Sequence, residues 1–116
     1  MGSSASHVRV TLEALDGAQV ARVSGSAGFA EAEALERALA PALLQRPSRL
    51  ILDLSELKFI SSLAMGVLRR VSASTQTHGR AMMVLPEGNV REVMQRCRML
   101  ELFEQFASVE SALSAA

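Results

Sequence analysis

The chain has no Trp, no Tyr, a single Cys and two His among its 116 residues, and its charges cancel. Each shortage closes a class of function. Four Phe and no other aromatic leave no platform on which bases could stack. One cysteine cannot form an internal disulfide, and a zinc cluster would need ligands the chain does not carry. Twelve Lys plus Arg against twelve Asp plus Glu give no bulk field to collect nucleic acid or anionic lipid. No apolar run approaches the roughly 18–20 residues of a membrane span. Residues 1–7 have neither the charged start nor the apolar stretch of a secretion signal; they read as a loose N-terminus with the look of an expression-tag remnant. What remains is a small soluble protein of a reducing compartment, most simply the cytoplasm, with no nucleic-acid partner and no direct membrane insertion. Its length suits one domain of about 100–200 residues, and a 49% hydrophobic content suits one packed core.

The hydrophobic pattern supplies the order of elements. Val8–Leu15 alternates apolar and polar residues, the period of a half-buried strand. Asp16-Gly17 then signals a tight hairpin, because both central residues of a type I′ turn need positive φ. A second strand is expected over Gln19–Ser24, broken by Gly25 to Gly28. Phe29, Ala32, Leu35, Leu39 and Leu43 form one helical stripe. Leu50–Leu52 and Ala81–Leu85 are short continuous apolar runs, as in strands of a parallel sheet covered on both faces. Between them, a helix from Ser61 or Ser62 to His78 carries Ala64, Val67, Leu68, Val71 and Thr75 inward, with Gly79 to end it. Asn89 reads as the N-cap of a third helix burying Val90, Val93, Met94 and Cys97. A short strand near Gln105–Ala107 and a terminal helix from Ser108 complete the chain. The fold class expected is α/β: a mixed, mostly parallel sheet of four to five strands with about four helices, ordered β-β-α-β-α-β-α-β-α.

Enzyme signatures are scarce. His7 and His78 have no evident carboxylate to orient them, and there is no Gly-x-Ser-x-Gly elbow, phosphate loop or dinucleotide fingerprint. Gly25–Gly28 is a weak echo of a phosphate loop and reads better as a strand-to-helix turn. The stripe position makes Cys97 a small core residue. Met82, Met83, Met94 and Met99 read as core filler, and Arg69, Arg70, Arg91, Arg96 and Arg98 as a solvated face. No catalytic residue, metal ligand or cofactor is assigned.

The informative stretch is Ile51–Leu68, in which an apolar strand leads through Asp53 and Ser55, and a loop held by Leu57 and Phe59, to two serines at a helix start. Two roles are open to a serine there. Its oxygen can accept from an unpaired N–H of the first turn, worth about 1 kcal/mol. Alternatively it can take a phosphate, which the free N–H groups and the helix dipole accommodate, adding about −1.5 to −2 charges to a neutral surface.

These residues resemble the STAS-domain family, whose best-known members are bacterial anti-sigma factor antagonists. Asp53-Leu54-Ser55, Leu57 and Phe59-Ile60 stand at matching places, as do Met65-Gly66-Val67, Val90–Met94, Leu102-Phe103 and Ser108–Leu113. The likeness runs from about residue 8 to residue 114 and implies one STAS domain over 8–116. It also implies a non-enzymatic switch that binds a serine-kinase anti-sigma factor of the histidine-kinase-like ATPase fold, with a phosphatase to reset the cycle. Ser62 falls on the family's phosphorylated serine, with Ser61 as the lesser candidate. Ser61, Ser62, Leu63, Met65, Gly66 and Arg69 are the partner-binding residues so implied. The pattern departs in places: Ser61 replaces an Asp, Leu63 and Ala64 replace a Ser and a Gly, Ser26-Ala27-Gly28 lacks an acidic pair, and Arg98 stands where a glycine ends the third helix. These departures keep two alternatives in view, a STAS subunit of a sensory complex or lipid-transport ATPase that is never phosphorylated, and a module binding a nucleotide or small ligand.

Overall fold

A computed structural model describes residues 7–115; the loose N-terminus expected over 1–7 therefore falls, for residues 1–6, outside the described residues. Strands β1 (Val8–Leu15) and β2 (Ala18–Ala27) form the hairpin, with Asp16 and Gly17 at φ of 48° and 80° as a type I′ turn requires. Next come α1 (Ala32–Leu44), β3 (Arg49–Ile60), α2 (Ser62–Gln76), β4 (Arg80–Val84), α3 (Gly88–Arg96), a 3-10 turn at Leu100–Leu102, β5 (Glu104–Phe106) and α4 (Val109–Ser114). The five strands lie in the order β1-β2-β3-β4-β5, antiparallel between β1 and β2 and parallel elsewhere. This is the mixed α/β sheet expected.

The apolar residues fall into two clusters, one on each face of the sheet. Leu35 and Leu39 of α1, Leu68 and Val71 of α2 and Met94 of α3 pack with Val23, Leu52 and Met83. Val109 and Ala112 of α4 cover Val20, Ile51 and Met82 on the opposite face. Residues 50–52 and 81–84 are buried whichever way they point, which is why their sequence shows no alternation. Met82, Met83, Met94 and Met99 are all core residues. At the sheet edge, Arg80 of β4 grips both carboxylate oxygens of Glu104 on β5, and this holds the Glu104 carboxyl below its ordinary range.

Several expectations need correction. Strand β2 continues to Ala27, so Gly25–Ala27 is neither a break nor the strand-to-helix turn expected there. Gly25 is required there because it adopts a φ of 87° and any Cβ would collide with the carbonyl of His7. Strand β3 runs unbroken to Ile60 where a loop was expected. Helix α1 starts at Ala32, which leaves Phe29 outside its stripe and exposed. The N-cap of α3 is Glu87 rather than Asn89. Cys97 is exposed, because α3 stops at Arg96 and the cysteine is already turned off the apolar stripe.

Arg98, a departure from the family pattern, and the buried Thr75 have simple physical outcomes. Arg98 takes the left-handed conformation at φ 60°, and Arg98 N donates to Gln95 O (3.0 Å) and Met99 N to Met94 O (2.9 Å). That is the Schellman ending usually built with glycine, made here at a steric cost of about 1–2 kcal/mol. Thr75 of α2 is fully buried, and its hydroxyl has no hydrogen-bond partner. An orphaned buried hydroxyl costs about 1–3 kcal/mol. Replacing Thr75 by Val should therefore raise the unfolding free energy in urea by about 1–2 kcal/mol. An unchanged or lower value would mean that the hydroxyl is satisfied.

Candidate functional site

The parallel strands β2 and β3 end side by side, with Ala27 opposite Ile60. One more ladder bond, from Ser61 N to Ala27 O at 2.8 Å, carries the pairing past the end of β3. Ser61 is still extended (φ −88°, ψ 166°), and its Oγ turns to accept from Ala64 N at 3.1 Å while its carbonyl accepts from Met65 N. These bonds anchor the start of α2 directly to the sheet. Ser61 is only 4% exposed.

Ser62 is the first residue of the helix, and its geometry is the opposite. It is exposed, and its hydroxyl makes no hydrogen bond to another described residue. The two roles left open for the serine pair are thus divided: Ser61 caps and Ser62 is free. The first turn carries no acidic residue, so the donor-rich end of the helix keeps its positive character. Leu63 is 54% exposed, Gly66 is half-buried and Arg69 is exposed. Ser61 and Met65, expected to face a partner, do not. The Ser61 oxygen is committed to the cap, and Met65 lies on the inward stripe beside Leu68.

Two aromatics that sequence reasoning placed elsewhere complete the surface. Phe29 is 67% exposed and Phe59 is 49% exposed. Phe29 sits in a turn closed by Glu31 N to Gly28 O (3.2 Å) and braced by the Glu31 carboxylate, which accepts from Gly28 N at 2.9 Å. The ring of Phe59 lies against Gly28. Its outward aim has a cause in register. Between the pairs Arg22↔Asp53 and Ser24↔Glu56, and again between Gly25↔Leu57 and Ser26↔Phe59, β3 carries one more residue than β2. Each extra residue reverses the alternation, so Leu57 and Ile60 are both buried and Phe59 points out. The first irregularity is held by Asp53, whose Oδ1 accepts from Ser55 N (3.1 Å) and Ser55 Oγ (2.7 Å). The acidic pair absent from residues 26–28 is partly answered by Glu31, which brings a carboxylate to this end of the sheet from another position.

No described residue makes a hydrogen bond to the Ser62 hydroxyl. His78 lies beyond the far end of α2, roughly 22 Å along the helix, with Nδ1 3.1 Å from the Pro47 carbonyl. Among the described residues no group of His, Cys, Asp and Glu could hold a metal ion, and no helix is long and apolar enough to cross a membrane.

The model of the STAS domain matches residues 9–112. The chain belongs to the STAS family. The Bordetella bronchiseptica protein BtrV, named as an anti-sigma factor antagonist, is 31% identical over 109 residues, covering 93% of this chain and 94% of that protein. An anti-sigma factor antagonist from Mycobacterium paratuberculosis superposes with a TM-score of 0.77 at 25% identity, over 92% of each chain. The fold also occurs inside a much longer protein, the murine anion transporter Slc26a9, with a TM-score of 0.72 at 18% identity over 87% of this chain but 18% of the transporter. A STAS fold alone therefore does not decide function.

The division between the serines predicts a contrast. Ser61→Ala should lower the unfolding free energy by about 1 kcal/mol or more, whereas Ser62→Ala should leave it within about 0.5 kcal/mol. Equal losses in urea titrations of the two variants would contradict the assignment of the cap.

Proposed function

We propose that this STAS domain is an anti-sigma factor antagonist: a non-enzymatic cytoplasmic switch that binds a serine-kinase anti-sigma factor of the histidine-kinase-like ATPase fold. Phosphorylation of Ser62 ends that binding, and a phosphatase restores it. The observation that carries this reading is an unbonded, exposed hydroxyl at a helix start, at the same end of the sheet as the exposed apolar side chains of Phe29, Phe59 and Leu63. The relative sharing 31% identity over most of both chains, named as an anti-sigma factor antagonist, supports the same partner class.

The chemistry is economical. The Ser62 oxygen attacks the γ-phosphorus of ATP held by the kinase, its proton passes to a base of the kinase, and ADP leaves. The product carries about −1.5 to −2 charges where the docked partner had met a neutral hydroxyl and apolar side chains. Taking so much charge out of water at an interface built on apolar side chains costs several kcal/mol, more than one neighbouring cation offsets, so the complex dissociates. The domain itself needs no catalytic group, because the kinase supplies the base and the nucleotide. Phe29 provides rigid area at the tip of a braced turn, the kind of aromatic anchor on which interfaces concentrate their affinity.

Binding to a candidate anti-sigma kinase, measured by calorimetry, should be unchanged for Ser62→Ala and weakened at least about tenfold, or about 1.4 kcal/mol, for both Ser62→Asp and Phe29→Ala. Equal binding by Ser62→Ala and Ser62→Asp would remove the switch and leave a permanent binding subunit. Undiminished binding by Phe29→Ala would put the interface elsewhere.

A further inference from the structure

The second helix carries an arginine whose placement the switch as described does not use. Arg70 Nε and Nη2 donate to the two carboxylate oxygens of Glu36 on α1, at 3.3 and 3.1 Å. Both side chains are more than half exposed, so the pair contributes little stability. Its effect is positional. A two-pronged bond fixes the plane of the guanidinium, and the third nitrogen, Nη1, lies 3.8 Å from the point where a Cβ would stand on Gly66. Arg70 therefore lies over Gly66 with its guanidinium held in one orientation while remaining open to solvent.

Gly66 is four residues beyond Ser62, hence on the same face and one turn along, where side-chain origins are about 6 Å apart. Helical side chains lean toward the N-terminus, so Arg70 leans toward Ser62. Gly66 has no side chain to fill the space between the two, and only Arg70 Nη1 comes within 4 Å of where its Cβ would stand. We propose that Arg70 is the built-in counter-ion of phosphorylated Ser62, its Nη1 reaching the phosphate across Gly66 while Glu36 holds the rest of the fork. The proposal rests on the reading of Ser62 as the phosphoacceptor, and it concerns what receives the phosphate once it is there.

The guanidinium is suited to the task, being permanently charged and matched to phosphate oxygens. Its consequence for the switch is specific. A phosphate drawn toward Arg70 lies along α2 and covers Gly66 as well as charging the surface. The first turn, with no acidic residue of its own, offers no competing repulsion. The other charges near this end are Glu31 before α1, Glu56 and Lys58 of β3, and Arg69, which stands on α2 with no hydrogen bond to a described residue.

The test installs phosphoserine at position 62 by genetic encoding, so that no kinase is needed, and follows the phosphorus resonance through its second protonation step. An ordinary phosphoserine titrates near pH 6. The midpoint in otherwise unchanged protein should lie below that of the Arg70→Ala protein by roughly half a pH unit or more, about a threefold change in proton affinity. Arg70→Lys should recover part of the shift, and Arg69→Ala should leave it intact. Identical midpoints with and without Arg70, or a shift lost only in Arg69→Ala, would overturn the proposal. Because the phosphate is supplied synthetically, that result leaves the kinase reading standing. Failure of every kinase to modify Ser62 would sink that reading and leave this measurement interpretable. Unfolding curves of the unphosphorylated variants, expected to coincide with the parent, exclude misfolding as the cause of any difference.

Discussion

The bond between Ser61 Oγ and Ala64 N is the constraint on which the site depends. Taken with the ladder bond from Ser61 N to Ala27 O, it turns the end of a buried strand into the start of a helix without a connecting loop. A helix that begins so abruptly presents its first residue outward, and that residue is Ser62. The cap satisfies one of the unpaired N–H groups of the first turn, and the turn retains its donor character toward whatever arrives. Removing the cap would loosen the position of Ser62 relative to the sheet, so the capping serine fixes where its exposed neighbour stands.

The surface around Ser62 is set by equally local causes. One extra residue in β3 turns Phe59 outward. One glutamate, Glu31, bonds back to Gly28 and holds the turn that exposes Phe29. Half the phenylalanines of the chain thus lie in solvent at one end of the sheet, an arrangement that costs hydrophobic free energy unless another surface covers it. The helix behind this rim is packed at Ala64, Met65, Leu68 and Val71 against the sheet, which keeps the rim in place.

Most of the architecture was legible in the chain because it rests on period and punctuation. The continuous apolar runs at residues 50–52 and 81–84, the Asp16-Gly17 turn and the helix start at residue 108 each have one good structural solution, and each took it. The site was legible in part. Two adjacent serines at a helix start can be recognised, but which one caps depends on where the strand lets go, a register question that composition cannot answer. Phe29 and Phe59 were misjudged for a related reason. An apolar residue three positions before Ala32 extends a helical stripe on paper, while the turn at Gly28–Glu31 ends it in space. The two irregularities of β3 leave no mark in the alternation until the pairing is seen. Cys97 shows the same limit, since one residue less of helix moves it from core to solvent.

The central claim is that Ser62, and not its neighbour, is the residue on which the switch acts. The most direct measurement is residue-resolved mass-spectrometric mapping of the phosphate after incubation of the protein with a candidate anti-sigma kinase and ATP. The account predicts a single phosphate on Ser62, with Ser61 unmodified because its hydroxyl is buried in the cap. Phosphate found on Ser61, or on neither serine with a kinase shown to bind the domain, would contradict it.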